Sequence, residues 1–424
     1  MSPLRLSPES APSATFHEAL MDSVSSVRDS LPKEHRAHFE TLRQEIIIFA
    51  ASHDIPREAL SKPDLLREAA EKLPTSDLER LANLLERFQH LIVEKKPWTN
   101  KEALEYAEAH YNISEQYDSQ VALLEQVGIL KEGAILGIDN KKYPIPTLEQ
   151  IAFRLFERRE ELETKHDQGF TKLLLVPFGM SLDTLRETLK QFLLSYEQAN
   201  PSFDLDTNEP LWTRDEYQGA DRGDSPKLVY YPQSFTEYGH GGGTKMEILE
   251  EQVGRRGTPA FAGVAGGSAT GTPGWTVHLL QPSDPNNPDS LGFAPIPREG
   301  KGTSQGDLVP RPPLEAGKTA EEYLSILQKA KEDKDSPYHH ESGLTPEDWV
   351  MAFILHLQET GEPLDNAWNS TNRESSSNLI GAFFHSSVPV PYARWDRDGC
   401  QAFLGRNDPL RRAGYFGARS SVMI

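Results

Sequence analysis

The sequence predicts an α+β protein in two halves, and three observations carry that reading. Between Pro32 and Val127 apolar residues recur at three- and four-residue steps, the period of helices that pack on one another. From Phe170 onward, short apolar runs alternate with helical stretches and long Gly/Pro loops, a mixed pattern. The last stretch, residues 381–424, holds six arginines and three aspartates but neither lysine nor glutamate, although both abound upstream.

Residues 1–30, rich in Ser, Pro, Ala and Asp, read as a flexible leader. In 38–51, Phe39, Leu42, Ile46 and Phe49 form one helical stripe. Residues 56–73 repeat the pattern, and in 77–94 Leu78, Leu81, Leu85, Phe88 and Ile92 form another stripe. Pro74, Thr75 and Ser76 end one helix and cap the next. Two shorter helices at 98–111 and 119–127 complete an expected helical domain over 31–146, a bundle of about five helices. Two prolines make 141–146 an extended joint. Thr147 then caps a charged connecting helix within 147–169, which reads as a spacer.

The second half, 170–424, is expected to be the ligand-binding domain. Residues 171–178 (TKLLLVPF) are a buried strand, 181–196 an amphipathic helix, 200–225 a loop and 227–231 a short strand. A short helix at 244–253 precedes 254–274, a low-complexity Gly-rich insertion expected to tolerate deletion. Residues 275–280 are a further strand. The Pro/Gly/Asp loop 282–317 is too long for a plain connection, so it is functional or mobile. Helices follow at 319–331 and 345–360, the latter opening Thr345-Pro346-Glu347-Asp348, a strong start signal.

A formal charge of −20 over 424 residues argues against nucleic acid as a ligand, since phosphate binding needs a basic face. Cys400 is the single cysteine, which excludes a disulfide framework and a thiolate zinc site. The stretch 1–16 lacks the apolar core of a secretory signal and no window elsewhere reaches membrane-spanning length, so the cytoplasm is expected and a membrane is not.

Motifs for chemistry are incomplete. The glycines of 238–243 lack the Gly-x-Ser-x-Gly elbow that a lipase needs. Gly317-Lys318-Thr319 ends like a phosphate loop, but Pro312 stands where its first glycine belongs, so Thr319 reads as a helix cap. His339-His340-Glu341 reads as a water-facing loop rather than a metal site, and the Asp-rich stretch 204–224 lacks calcium-loop spacing. No catalytic residue, cofactor or metal is expected.

The tail instead has the composition of a binding loop: Arg, Tyr and Asn, which give contact area at low entropic cost, set in an apolar frame. Leu379-Ile380-Gly381-Ala382-Phe383-Phe384, Trp395, Gln401-Ala402-Phe403-Leu404 and Gly417-Ala418-Arg419-Ser420-Ser421-Val422 resemble the end of the variable proteins diversified by diversity-generating retroelements. Met423 departs from the basic residue expected there. The resemblance implies a C-type-lectin-like, formylglycine-generating-enzyme-like domain with long loop insertions, following the helical bundle. It also implies a hypervariable region at 381–424. In that fold the first and last strands meet, so 172–176 should lie next to the strand around 420–424.

Such systems mutate adenines, chiefly in Asn codons, and the products include Asp, Gly, Arg, Tyr and Cys but not Lys, Glu, Gln, Met or Trp. The tail's composition fits that arithmetic. The resemblance implies that Trp395, Ala402 and Leu404 point inward as scaffold. Tyr392, Arg394, Asp396, Asp398, Gly399, Cys400, Arg406, Asn407, Arg412, Tyr415 and Phe416 then face an unknown protein or small-molecule ligand. Two rivals stay open: an assembly protein, with self-association through the helical domain, and an enzyme of the formylglycine-generating kind. The second needs a cysteine pair that this chain does not have.

Overall fold

The computed structural model describes residues 26–53, 75–95, 101–223, 225–252, 272–287, 289–366, 376–385 and 388–424, with scattered positions between. Most of the Gly-rich insertion and of the expected 56–73 helix lie outside the described residues, as does the leader before Ser26 apart from Ala19. Two compact units divide between Lys101 and Glu102.

The first unit contains α1 (Ser26–Ser30), α2 (Lys33–Ser52) and α3 (Thr75–Glu94). The stripe Phe39, Leu42, Ile46 and Phe49 is buried, and Phe39 meets Phe88 with ring centroids 5.1 Å apart. No strand occurs among its described residues.

The second unit opens with α4 (Lys101–Tyr111), α5 (Ile113–Gln126) and the hairpin β1 (Ala134–Leu136) and β2 (Lys142–Pro144). It continues with α6 (Leu148–Glu157), α7 (Arg159–Asp167), β3 (Lys172–Val176), α8 (Leu182–Ala199) and β4 (Leu211–Thr213). Next come β5 (Leu228–Tyr230), α9 (Lys245–Gln252), β6 (Thr276–Leu280), α10 (Ala320–Glu332), β7 (Glu341–Gly343) and α11 (Pro346–Thr360). The chain ends in β8 (Ser376–Asn378), β9 (Ala382–Phe384), β10 (Val390–Asp396), β11 (Gln401–Asn407), β12 (Phe416–Ala418) and β13 (Ser420–Met423). The unit is mixed α+β.

Its domain boundary differs from the one read off the sequence. The helices at 101–126 and the 148–167 stretch pack into the second unit, where Tyr111, Leu124, Ile151, Leu155 and Leu162 share one core with Leu173 and Leu175. The physical reason is the open edge of β3. Gln116 and Gln120, one turn apart on α5, act as a side-chain strand. Gln116 accepts from Leu173 N–H at 2.8 Å; Gln120 accepts from Leu175 N–H at 2.9 Å and donates to the Leu173 carbonyl at 2.9 Å. An exposed edge would leave those groups without partners. The expected single spacer helix is two helices, α6 and α7, and its apolar side is core.

An antiparallel sheet runs β3-β6-β13-β7. The strand at 172–176 and the C-terminal strand therefore share a sheet but are not neighbours. β6 lies between them: all five of its buried residues pair with β3, and His278 and Leu279 also pair with β13. A second, mixed sheet runs β12-β8-β10-β11-β4, with β12/β8 and β11/β4 parallel. α11 contacts β3 of one sheet and β10 of the other. It is apolar on every side from Trp349 to Leu355, as a helix buried all round must be.

Thr345 caps α11: its hydroxyl accepts from Asp348 N–H, and the Asp348 carboxylate accepts from Thr345 N–H at 2.8 Å. Thr345→Ala is expected to lower the second unit's unfolding free energy by about 1–2 kcal/mol, read by urea titration. Thr319 caps α10 through the same reciprocal pair with Glu322, as its sequence context suggests.

Candidate functional site

Strands β10 and β11 pair in register from Val390↔Asn407 to Asp396↔Gln401. Because side chains alternate across a strand, Ala393, Trp395, Ala402 and Leu404 share one face and Tyr392, Arg394, Asp396 and Phe403 the other. The first group is buried in the main core, as expected. The second builds a strip of stacked rings and guanidinium groups.

Phe403 is its centre. Trp212 of β4 lies against it at 4.3 Å and 12°, and the Arg394 guanidinium sits 4.2 Å above it. Arg214 extends the strip from the far side of Trp212, 6.0 Å from its centroid. Tyr392 stacks on Phe403 at 5.7 Å and meets Phe416 edge-on at 5.2 Å. Arg411 lies 5.7 Å from the Phe416 centroid and donates to the Tyr415 hydroxyl. Gly405 makes room for this packing: a Cβ there would lie 2.6 Å from the Tyr392 ring. Trp212, Tyr392 and Phe403 stay half-exposed. Each contact of this kind is worth ~0.5–1 kcal/mol at an exposed site, and it holds the side chains in place before any ligand arrives.

The eleven residues named from the sequence do not lie on one exposed face. Arg394, Asn407 and Phe416 are buried, at 7%, 3% and 2% exposure. Arg394 is covered because its flat guanidinium packs on Phe403, with Asp396 at 3.2 Å. Phe416 is covered because β12 is paired with β8 and its ring is packed between Tyr392 and Tyr415. Asp396, Asp398, Gly399 and Cys400 sit together at the hairpin turn. There the Cys400 thiol donates to Asp204 at 2.9 Å, and that bond pushes the thiol up to about 11. This is the opposite of an activated nucleophile. Arg406 is at the other end, 3.0 Å from Glu216. Arg412 reaches the Glu322 carboxylate and the Gly317 carbonyl. Tyr415 is half-exposed.

A cleft of about 490 Å³ opens at the Asn407 end of the hairpin, lined by Arg214, Val388, Pro389, Arg406, Asn407, Asp408 and Pro409. Neither amide atom of Asn407 has a hydrogen-bond partner. A buried polar group left without one costs on the order of 1–3 kcal/mol. Trp212 and Arg214 lie within the stretch read as loop.

Two further clusters were not legible as sites. His339 and His340 were expected to face water with Glu341. Glu341 is instead wholly buried between Lys165 and Arg311, each at 2.7 Å. His340 is half-buried, and burial and its neighbour His339 lower it to about 4. His278 Nδ1 lies 2.9 Å from Ser421 Oγ and its Nε2 3.3 Å from Asp348, the residue types of a hydrolase triad with the two ring nitrogens in exchanged roles. His278, Asp348 and Ser421 are each at 0% exposure, so no substrate reaches them. Among the described residues, no group of three or more His, Cys, Asp or Glu side chains could hold a metal ion. None of their helices is long and apolar enough to cross a membrane. No family model, curated protein or solved structure matches the chain.

Proposed function

We propose that this chain is a non-enzymatic ligand-binding protein on a C-type-lectin-like scaffold, with its tail diversified by a retroelement. One observation carries the reading. The β10–β11 hairpin separates buried anchors, Trp395, Ala402 and Leu404, from an ordered Arg/aromatic strip that is half open to solvent. Rigid rings and guanidinium groups held before binding are the side chains that dominate interface energetics. Its members also come mostly from the segment with neither Lys nor Glu.

The test is a displayed library of the full chain, randomised at Tyr392, Asp396, Asp398, Arg412 and Tyr415 and selected against streptavidin, with the parent chain as the control for binding. Asp398 and Arg412 are exposed, Tyr392, Asp396 and Tyr415 are half-buried at the strip, and the Trp395, Ala402 and Leu404 frame is untouched, so most members should fold and some should bind. A pool that fails to fold, or one that folds and yields no binder, contradicts the reading.

A further inference from the structure

We infer that the cleft beside the long 282–317 loop binds a small organic acid, an apolar body carrying one carboxylate. The cleft, about 230 Å³ in volume, is built from that loop, the end of β6 and the turn from β12 into β13. It shares no lining residue with the Arg/aromatic strip, so the inference stands apart from the reading of the hairpin. A loop of this length is expected to serve a site.

Arg311, 3% exposed, is the group that meets the carboxylate. Its Nε and Nη2 hold Glu341 at 2.7 and 2.8 Å, and Nη2 also donates to Ser420 Oγ at 3.0 Å. Phe170 and Tyr338 have their ring centroids 5.2 and 5.1 Å from the guanidinium and steady it. Among the described residues nothing accepts from the remaining nitrogen, Nη1, which is not sealed from solvent, and Arg311 lines the cleft. Two N–H donors on a fixed cation are thus left over, and a carboxylate oxygen makes the strongest bond with them.

The surrounding charges leave that role open. Glu341 is shared between Arg311 and Lys165, so two cations face one carboxylate. Arg419 is taken up by Asp365 and the Ala294 carbonyl. Exposed Lys301 makes no ion pair among the described residues, and no carboxylate lines the cleft. Glu315, next to the wall, is occupied by the Gly300 and Gly302 N–H groups at 2.8 Å each. Ile296, Pro297, Pro313 and Leu314 give the apolar walls, as in a small-molecule pocket with a few placed polar groups.

The experiment is ligand-observed NMR on the full chain with hexanoate, benzoate, phenylacetate and indoleacetate, each beside its primary amide, followed by titration of the tightest binder. At least one acid should bind about tenfold or more tightly than its amide, which keeps the shape and loses the charge. Ala294→Phe, at a half-exposed wall position, should abolish binding by filling the cleft in a chain that still melts cooperatively. Arg311→Lys keeps a cation against Glu341 but has no second terminal nitrogen, so it should bring acid and amide to equal affinity. An arginine with only a structural role would leave that ratio unchanged. If Arg311→Lys does not fold, Ala294→Phe decides.

Failure of every acid to bind overturns the inference, as does an amide that binds as well as its acid. Inorganic phosphate that displaces the acid at equal concentration also overturns it, since the occupant would then be a phosphate. Binding that is unchanged in Ala294→Phe puts the acid elsewhere and removes the cleft.

Discussion

Glu341→Ala is expected to destabilise the second unit by about 3–5 kcal/mol, a large part of the ~5–15 kcal/mol that holds a domain folded. The carboxylate is wholly buried. It takes Arg311 in a two-pronged pair at 2.7 and 2.8 Å, Lys165 at 2.7 Å and the Ser420 hydroxyl at 2.6 Å. Its removal leaves two cations in the interior without their counter-charge. It also removes the side chain on which the long loop at Arg311, α7 and β13 all meet.

The same group sets an acid limit. Burial alone would raise the Glu341 carboxyl, but Arg311 and Lys165 outweigh burial and lower it from 4.5 to about 2. A group depressed on folding contributes stability that is complete above its unfolded value and lost as pH falls through its folded one. The urea midpoint should therefore hold above pH 4.5 and fall steadily toward pH 2. In Glu341→Gln, which starts lower, that part of the slope should be absent.

Trp395→Ala is expected to cost a similar ~3–5 kcal/mol, for a different reason. The indole is 5% exposed and packs against Phe203 at 5.4 Å and Phe353 at 6.0 Å. Its backbone N–H donates to the Asp365 carbonyl at 3.1 Å. The Asp365 carboxylate in turn takes Trp349 Nε1 at 3.0 Å and Arg419 at 2.6 Å. Truncation opens a cavity where the tail hairpin meets α11. Thermal unfolding should show a loss of many degrees, while Asp398→Ala, at the exposed turn one strand-end away, should sit within ~0.5 kcal/mol of the parent.

How much of this was legible follows from what local sequence can encode. α2 stood out by the period of its one-sided stripe, and α11 by its Thr-Pro-Glu-Asp start signal. The strand 172–176 stood out because a short apolar run bounded by a Gly and a Pro has few other uses. β4 was missed because three residues give no period, yet it supplies Trp212. Gln116 and Gln120 look like solvent-facing positions until a bare strand edge lies beside them. Lys245, 2.5 Å from Asp221 and 2.8 Å from Glu347, looks like any surface lysine until its partners arrive from distant segments.

In the tail the inward positions Trp395, Ala402 and Leu404 followed from the resemblance. The burial of Arg394 and Phe416 did not, because it depends on which rings pack on them: Phe403 on Arg394, and Tyr392 and Tyr415 on Phe416. Composition singled out a segment and could not rank the residues within it.

The proposed function has evolution vary this surface on a fixed frame. Sequencing the gene's neighbourhood together with its sister copies is the direct test. A reverse-transcriptase gene should lie nearby with a near-copy of the bases encoding residues 381–424. Differences among copies should concentrate at adenine-rich codons for positions such as Tyr392, Asp396, Asp398 and Tyr415, with Trp395, Ala402 and Leu404 unchanged. Differences spread evenly along the chain, with Tyr392 through Phe416 invariant, would contradict it.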